Sequence, residues 1–287
     1  MKILLTGADG FTGHFFQVAA AAAGYEVWPL ISDLNDKSAV IAEVHRTRPN
    51  TVVHLGAISF VGHAKELDFY HVNVIGTMNL LEALASLEVK PTKVLLASSA
   101  NVYGNSPHSP ITEEQAVAPV NHYATSKLAM EFMAKTYLGK LPVVFLRPFN
   151  YTGIGQADNF LIPKLVSHFS KKASKIELGN TNVQREFNDV RMVVSAYIAL
   201  MGKGLAGQTY NICTGQAFSL LEVIHELSEI TGHKIDIQVN SALVRSNEVQ
   251  LLCGCPAKLI TCSGALPNFT LRETLQWMLD HVKNELN

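Results

Sequence analysis

Tyr123 and Lys127 bracket the segment Tyr-Ala-Thr-Ser-Lys, a spacing that puts both side chains on one face of a helix. A neighbouring cation favours phenolate over phenol and draws a pKa of about 10 toward working pH, which suits proton transfer in alcohol/ketone interconversion. Without context, such a pair is surface packing plus a solvated charge. The context here is a glycine turn. Gly7-Ala8-Asp9-Gly10-Phe11-Thr12-Gly13 follows an apolar strand and opens a helix. Glycines at that place permit the tight turn and let backbone amides approach a pyrophosphate, aided by the positive helix end. The spacing is a relaxed dinucleotide fingerprint.

The acidic residue that binds the ribose hydroxyls of NAD at the end of the second strand is missing. Its place falls at Ile31-Ser32, followed by Asp33-Leu34, and no arginine stands there to meet a 2′-phosphate. The expected cofactor is therefore NADP or NAD, with a lean to NADP.

These residues need a scaffold. Short apolar runs at 3–6, 26–30, 51–55, 94–98 and 143–147 alternate with helical patterns near 12–23, 37–48, 67–88 and 122–139. That rhythm predicts α/β architecture, a Rossmann-like doubly wound parallel sheet with helices on both faces. The stretch 103–120, rich in Pro, Ser and Gly, reads as a long loop of the kind that carries sites. After Arg147 the rhythm changes. Helices near 160–170, 189–202, 219–231 and 270–285 are expected, with strands at 176–178, 209–212 and 235–239 and a charged loop at 245–248. We divide the chain into a dinucleotide-binding domain, 1–148, and a smaller α/β substrate-binding region, 149–287, with some segments returning to the first.

Composition narrows the function classes. The chain has 287 residues, 48% hydrophobic and 16% charged, enough for a sizeable core. A net charge of −1 gives no electrostatic footprint for nucleic acid or acidic membrane. The first apolar run is too short for a signal peptide or a span. Cys213, Cys253, Cys255 and Cys262 match neither a zinc nor a redox pattern, so reduced thiols and a cytoplasmic location are expected. No metal is expected either, since the histidines lack zinc-ligand spacing, and His54 reads as a packed core residue.

Seven motifs in order resemble the extended short-chain dehydrogenase/reductase superfamily across essentially the whole chain: Gly7–Gly13, Asp33-Leu34, the segment 54–57, the segment 72–77, the segment 98–104, Tyr123–Lys127 and the segment 147–150. Later stretches at 149–156, 185–191 and 245–249 look most like the branch acting on GDP-mannose derivatives, particularly GDP-4-keto-6-deoxy-mannose reductases. The resemblance implies a catalytic trio of Ser99, Tyr123 and Lys127. It implies that Gly7, Gly10, Phe11, Thr12, Gly13, Asp33, Leu34, Leu55, Gly56, Ala57, Asn73, Ser98 and Pro148 line the cofactor path with Tyr123 and Lys127, Asp33 meeting the adenine. Ser99, Asn101, Asn150, Arg185 and Arg245 would hold the nucleotide-sugar, the arginines by bidentate phosphate contacts. Plain salt bridges for the arginines, and a cap or turn role for Asn73, stand as the alternatives. Helices 67–88 and 122–139 would pair across a homodimer as a four-helix bundle.

Within that superfamily, sugar 4,6-dehydratases need carboxylates beside the active serine, where this chain has Ala100 and Asn101. Glu113 and Glu114 could reach in from the loop, although a solvated pair is the simpler reading. A 4-epimerase needs the trio and a retained NAD; a 4-keto reductase needs the trio and an exchanging reduced cofactor. The expected activity is NAD(P)H-dependent reduction of a nucleotide-linked 4-keto-6-deoxy sugar, GDP favoured, with 4-epimerase as the alternative. A non-catalytic dinucleotide sensor stands behind both, since such proteins lose the Tyr or Lys that this chain keeps.

Overall fold

The structure is a computed structural model that describes residues 1–240 and 249–285. Arg245 and the expected loop at 245–248 lie outside the described residues. The first half runs β1 (Lys2–Thr6), α1 (Phe11–Ala22), β2 (Glu26–Pro29), α2 (Lys37–Thr47), β3 (Thr51–His54), α3 (Glu66–Tyr70), α4 (Thr77–Ser86), β4 (Lys93–Ala97), α5 (His122–Lys135) and β5 (Val143–Pro148). The second half adds β6 (Tyr151–Thr152), α6 (Leu161–Ser170), β7 (Lys175–Leu178), β8 (Gln184–Glu186), β9 (Asn188–Asp189), α7 (Val190–Lys203), β10 (Thr209–Ile212), β11 (Ala217–Ser219), α8 (Leu220–Thr231), β12 (Asp236–Val239), β13 (Leu251–Leu252), α9 (Ala257–Ser263) and α10 (Leu271–Glu285).

Six strands pair in parallel in the order β10-β5-β4-β3-β1-β2. Runs such as Val52-Val53 and Val94-Leu95-Leu96 are buried on both faces, as a parallel sheet covered by two helix layers requires. One layer packs Phe16 and Ala20 of α1 against Val193, Tyr197 and Leu200 of α7. The other joins Val40 and Val44 of α2, Leu80 and Leu84 of α4, and Met130 and Ala134 of α5. Pro29, which has no ladder donor to give, closes the edge strand β2. A further core gathers α6, α8 and α10 over the parallel pair β7-β12, with Leu165, Phe169, Val223, Leu227, Leu275 and Leu279 at its centre.

The long helix expected at 67–88 is interrupted. Between α3 and α4, His71–Gly76 forms a π-helical turn, a feature that recurs at functional sites. Thr77 Oγ1 donates to the Asn73 carbonyl there at 2.7 Å. Strand β10 extends the main sheet from the second half, so the chain returns to the first core after the segment 149–188. The region 103–120 is mostly irregular, entered by a 3-10 turn at Ala100–Tyr103 and pinned by an isolated parallel bridge from Ile111 to Gly254. All four cysteines are free thiols.

Candidate active site

The carboxyl ends of β1, β3, β4 and β5 open into one cleft of about 1400 Å³, the place where open parallel sheets bind ligands. Thr6 ends β1, and the chain turns at Gly7 with φ +67°. A Cβ on Gly7 would sit 2.8 Å from the Gly56 nitrogen, and one on Gly13 only 2.1 Å from the Gly7 carbonyl oxygen. Neither position tolerates a side chain. Gly10 precedes α1 and leaves the helix N-terminus without a side-chain cap. The cradle therefore offers bare backbone to a pyrophosphate.

Leu55, Gly56 and Ala57 form the next wall. The Gly56 amide donates to Thr6 Oγ1 at 2.9 Å, and Leu34 lies against Gly56 and Gly76. Asp33 faces the cleft and accepts the Asn35 amide at 2.9 Å. Asn73 departs from its expected place. It is fully buried one layer behind the wall, because its amide is consumed by other groups. Its Oδ1 accepts the Ile58 amide at 3.1 Å, and its Nδ2 donates to Ser126 Oγ at 3.0 Å. Asn73 thus ties the loop after β3 to α5, the turn-holding role that was its alternative.

Asn121 caps α5 by accepting the Ala124 amide at 2.9 Å, which fixes the first turn that carries Tyr123. Tyr123 is 7% exposed, Lys127 3% and Ser99 5%, and all three border the cleft. Burial pushes the Tyr123 phenol up to about 12, against a downward pull from the Ser99 hydroxyl. This corrects the expectation that the lysine brings the phenol toward neutrality. The Lys127 ammonium is turned to the Ala97 carbonyl at 2.8 Å, and burial lowers it to about 8, with Glu131 pulling upward. At neutral pH the site holds a protonated phenol beside a cation, a set-up for giving a proton. Behind it, Arg147 binds Glu131 through Nε at 2.9 Å and Nη2 at 2.6 Å and lies over the Tyr103 ring, locking α5 to β5.

Ala100 and Asn101 occupy the place beside Ser99, and the Asn101 amide nitrogen donates to Ser99 Oγ at 3.2 Å. Glu113 accepts the Asn211 amide at 2.8 Å, and neither it nor Glu114 borders the cleft. Among the described residues, no carboxylate takes the place of the missing dehydratase acid and base beside Ser99. Pro148 and Asn150 border the cleft beyond β5. Arg185 borders it too, but its guanidinium donates to the carbonyls of Gln184 (2.8 Å), Gln250 (3.3 Å) and Val249. A phosphate grip by Arg185 would trade those backbone contacts. Sequence reasoning missed Tyr151, whose hydroxyl meets Thr12 Oγ1 at 2.7 Å and whose ring stacks on Phe11. The signal available was position: Tyr151 stands just past the end of a central parallel strand.

The residues present fit a dinucleotide. The glycine cradle excludes side chains, and Ser98 Oγ, on the cleft wall, is buried without a hydrogen-bond partner among the described residues. Such an orphan calls for a ligand group. Among the described residues no cluster of His, Cys, Asp or Glu could hold a metal ion, and no helix is long and apolar enough to cross a membrane.

A parallel sheet with a glycine cradle and a Ser-Tyr-Lys trio defines an NAD(P)-dependent oxidoreductase of the short-chain type. The chain belongs to the NAD dependent epimerase/dehydratase family, whose model matches residues 3–213. It is 36% identical over 293 residues to the GDP-6-deoxy-D-talose 4-dehydrogenase of Aggregatibacter actinomycetemcomitans, covering 100% of both chains. It is 32% identical over 294 residues to the GDP-6-deoxy-D-mannose reductase of Pseudomonas aeruginosa, covering 97% of this chain and 96% of that one. Among solved structures, RMD from Pseudomonas aeruginosa complexed with NADPH matches with a TM-score of 0.91 at 31% identity, covering 99% of each chain.

Proposed function

We propose that this chain reduces the C4 keto group of a nucleotide-linked 4-keto-6-deoxy sugar, with a GDP-sugar as the favoured substrate. The observation that carries the reading is the Ser99-Tyr123-Lys127 trio set beside Ala100 and Asn101, where a dehydratase would need carboxylates, with Glu113 and Glu114 off the cleft wall. Full-length similarity to a GDP-6-deoxy-D-talose 4-dehydrogenase and a GDP-6-deoxy-D-mannose reductase supports it, since both names describe redox enzymes of GDP-linked 6-deoxyhexoses, sugars that differ from each other in configuration at C4.

Gly7, Gly10 and Gly13 would hold the pyrophosphate of the dinucleotide, Lys127 the ribose hydroxyls beside the nicotinamide, and Asp33 the adenosine end. The reduced nicotinamide, when bound, supplies the hydride that C4 receives. Ser99 Oγ orients the carbonyl oxygen. Tyr123 gives its phenolic proton to that oxygen as charge develops on it, and the Lys127 ammonium stabilises the phenolate left behind. We place the nucleotide diphosphate against Asn150, Asn101 and Arg185, on the wall built after β5. We also assign a homodimer, because Leu67 on α3, Ile75 in the π turn and Phe132 on α5 expose apolar surface on adjoining elements. The four free thiols suit the cytoplasm.

The test is direct. GDP-4-keto-6-deoxy-mannose is mixed with protein and NADH or NADPH while nicotinamide absorbance is followed. Oxidation with formation of a 6-deoxyhexose supports the reading, and no oxidation with either coenzyme defeats it. The matching family is named for epimerases as well as dehydratases, so a 4-epimerase is the second reading. Interconversion of UDP-glucose and UDP-galactose without added coenzyme would install it.

A further inference from the structure

The end of β2 shows an arrangement that bears on coenzyme choice. In parallel dinucleotide-binding sheets this strand end, about 20 residues beyond the glycine turn, meets the adenosine ribose. Here the cleft wall continues from the glycine cradle to Ile31, Ser32 and Asp33. Beneath that wall stands Glu43 of α2, only 7% exposed. Its Oε1 accepts the Ile31 amide at 3.1 Å, and its Oε2 accepts the Ser32 amide at 2.8 Å and the Ser32 hydroxyl at 2.6 Å.

We propose that Glu43, acting through Ser32, selects a coenzyme whose adenosine ribose carries a free 2′-hydroxyl, so that NAD(H) is preferred over NADP(H). The inference rests on the cleft being the dinucleotide site, and it departs from the lean to NADP that the missing ribose acid suggested.

Three features carry it. The donors that a 2′-phosphate would recruit at this strand end, two amides and a hydroxyl, already point at a carboxylate. That carboxylate lies one hydrogen bond behind the wall, and Asp33 adds a second acid beside it, so a phosphate dianion would meet negative charge. The counter-charge is weak: the Arg46 guanidinium lies 3.5 Å from Glu43 but is 75% exposed, and Lys37 is paired with Glu82. Among the described residues, the lysines and arginines bordering the main cleft are Lys127 and Arg185, neither of them at the β2 edge. A 2′-hydroxyl meets the opposite situation. Ser32 Oγ donates its hydroxyl hydrogen bond to Glu43 and keeps lone pairs to accept a hydrogen bond from the ribose. Burial pushes the Glu43 carboxyl up, yet the Ser32 hydroxyl, the two amides and Arg46 together leave it below its ordinary range, so it is charged at neutral pH.

The experiment measures equilibrium binding of NADH and NADPH to the full chain by nicotinamide fluorescence, at one ionic strength and without sugar. NADH should bind tighter by about tenfold or more, the size of one unfavourable charge contact near a protein surface. Glu43→Gln should shrink that ratio several-fold by tightening NADPH, with NADH changed by less than about threefold. If Glu43→Gln does not fold, Ser32→Ala serves: it should weaken NADH and leave NADPH unchanged. NADPH binding as tightly as NADH in the wild type, or a ratio unmoved by the substitution, would overturn the proposal. Because no sugar is present, failure of the keto-sugar reading leaves this measurement untouched.

Discussion

The ammonium of Lys127 donates to the Ala97 carbonyl at 2.8 Å, tying the middle of α5 to the end of β4 that carries Ser98 and Ser99. The bond sets where the cation stands relative to both hydroxyl groups of the trio. Its surroundings are dry, so burial brings the ammonium down to about 8, with Glu131 opposing. Below that pH the lysine is charged and can stabilise the phenolate of Tyr123; above it the charge is lost. The rate constant kcat/KM for keto-sugar reduction should therefore fall as pH rises through about 8. A profile between about pH 6 and 10 checks this, with Lys127→Arg as the comparison. The arginine variant will be slower but should lose that basic limb, because a guanidinium stays charged throughout. A limb left in place would assign the titration elsewhere.

Asn73 holds the loop after β3 to α5, and its removal leaves the Ile58 amide and Ser126 hydroxyl short of a partner. Asn73→Ala should lower unfolding free energy by about 1–3 kcal/mol, the usual cost of orphaned buried groups. It should also weaken dinucleotide binding, since Leu55, Gly56 and Ala57 lose their anchor. Urea unfolding and coenzyme titration of the same variant check both. Wild-type coenzyme affinity in a destabilised variant would separate the loop's position from the amide.

Much of this is legible in the sequence. Continuous apolar runs such as Val94-Leu95-Leu96 belong to strands covered on both faces, and their helical spacers give the parallel order. The glycine turn and the Tyr123-Lys127 spacing are local, so the residues themselves display them. What escaped reading depends on distant partners. Asn73 looks like a cleft residue until Ile58 and Ser126 take its amide, 15 and 53 positions away. Arg185 looks like a phosphate clamp until Val249 and Gln250 supply carbonyls from β13's approach. The nearness of Lys127 in sequence predicts a lowered pKa for the Tyr123 phenol, whereas burial, a property of the whole fold, moves it upward. Helix α9 escaped too, lying in a segment whose cysteines and Pro256 mask its short apolar face.

The glycine cradle makes a sharper claim than its sequence pattern. A methyl group at Gly13 would stand 2.1 Å from the Gly7 carbonyl oxygen and 2.7 Å from that of Ala8. Both are backbone atoms, so relief requires the turn itself to move. Gly13→Ala should cost about 1–3 kcal/mol of stability through overpacking. It should also weaken NADH and NADPH alike by more than about tenfold, because every pyrophosphate contact depends on that turn. Isothermal titration of both coenzymes reads the result. Loss of one coenzyme alone would mean that the turn serves something other than the shared pyrophosphate.

His54 closes β3 at 1% exposure, with Nδ1 2.7 Å from Thr6 Oγ1 and Nε2 2.8 Å from Thr77 Oγ1. Burial first, and the Lys127 charge second, lower its pKa from 6.5 to about 3. The unfolded chain therefore binds a proton at His54 that the folded chain refuses. The neutral imidazole's contribution to stability is complete above about pH 6.5 and is lost progressively as pH falls toward about 3, up to a few kcal/mol in all. Unfolding free energies measured by urea at several pH values in that window should fall more steeply for the wild type than for His54→Gln. The glutamine can bond one or both threonines but has no proton to take up. The variant will start lower at neutral pH, where the imidazole fits both hydroxyls, and the two curves should converge in acid. Parallel curves would show that His54 does not titrate on unfolding, and that the acid sensitivity of the fold lies in its carboxylates instead.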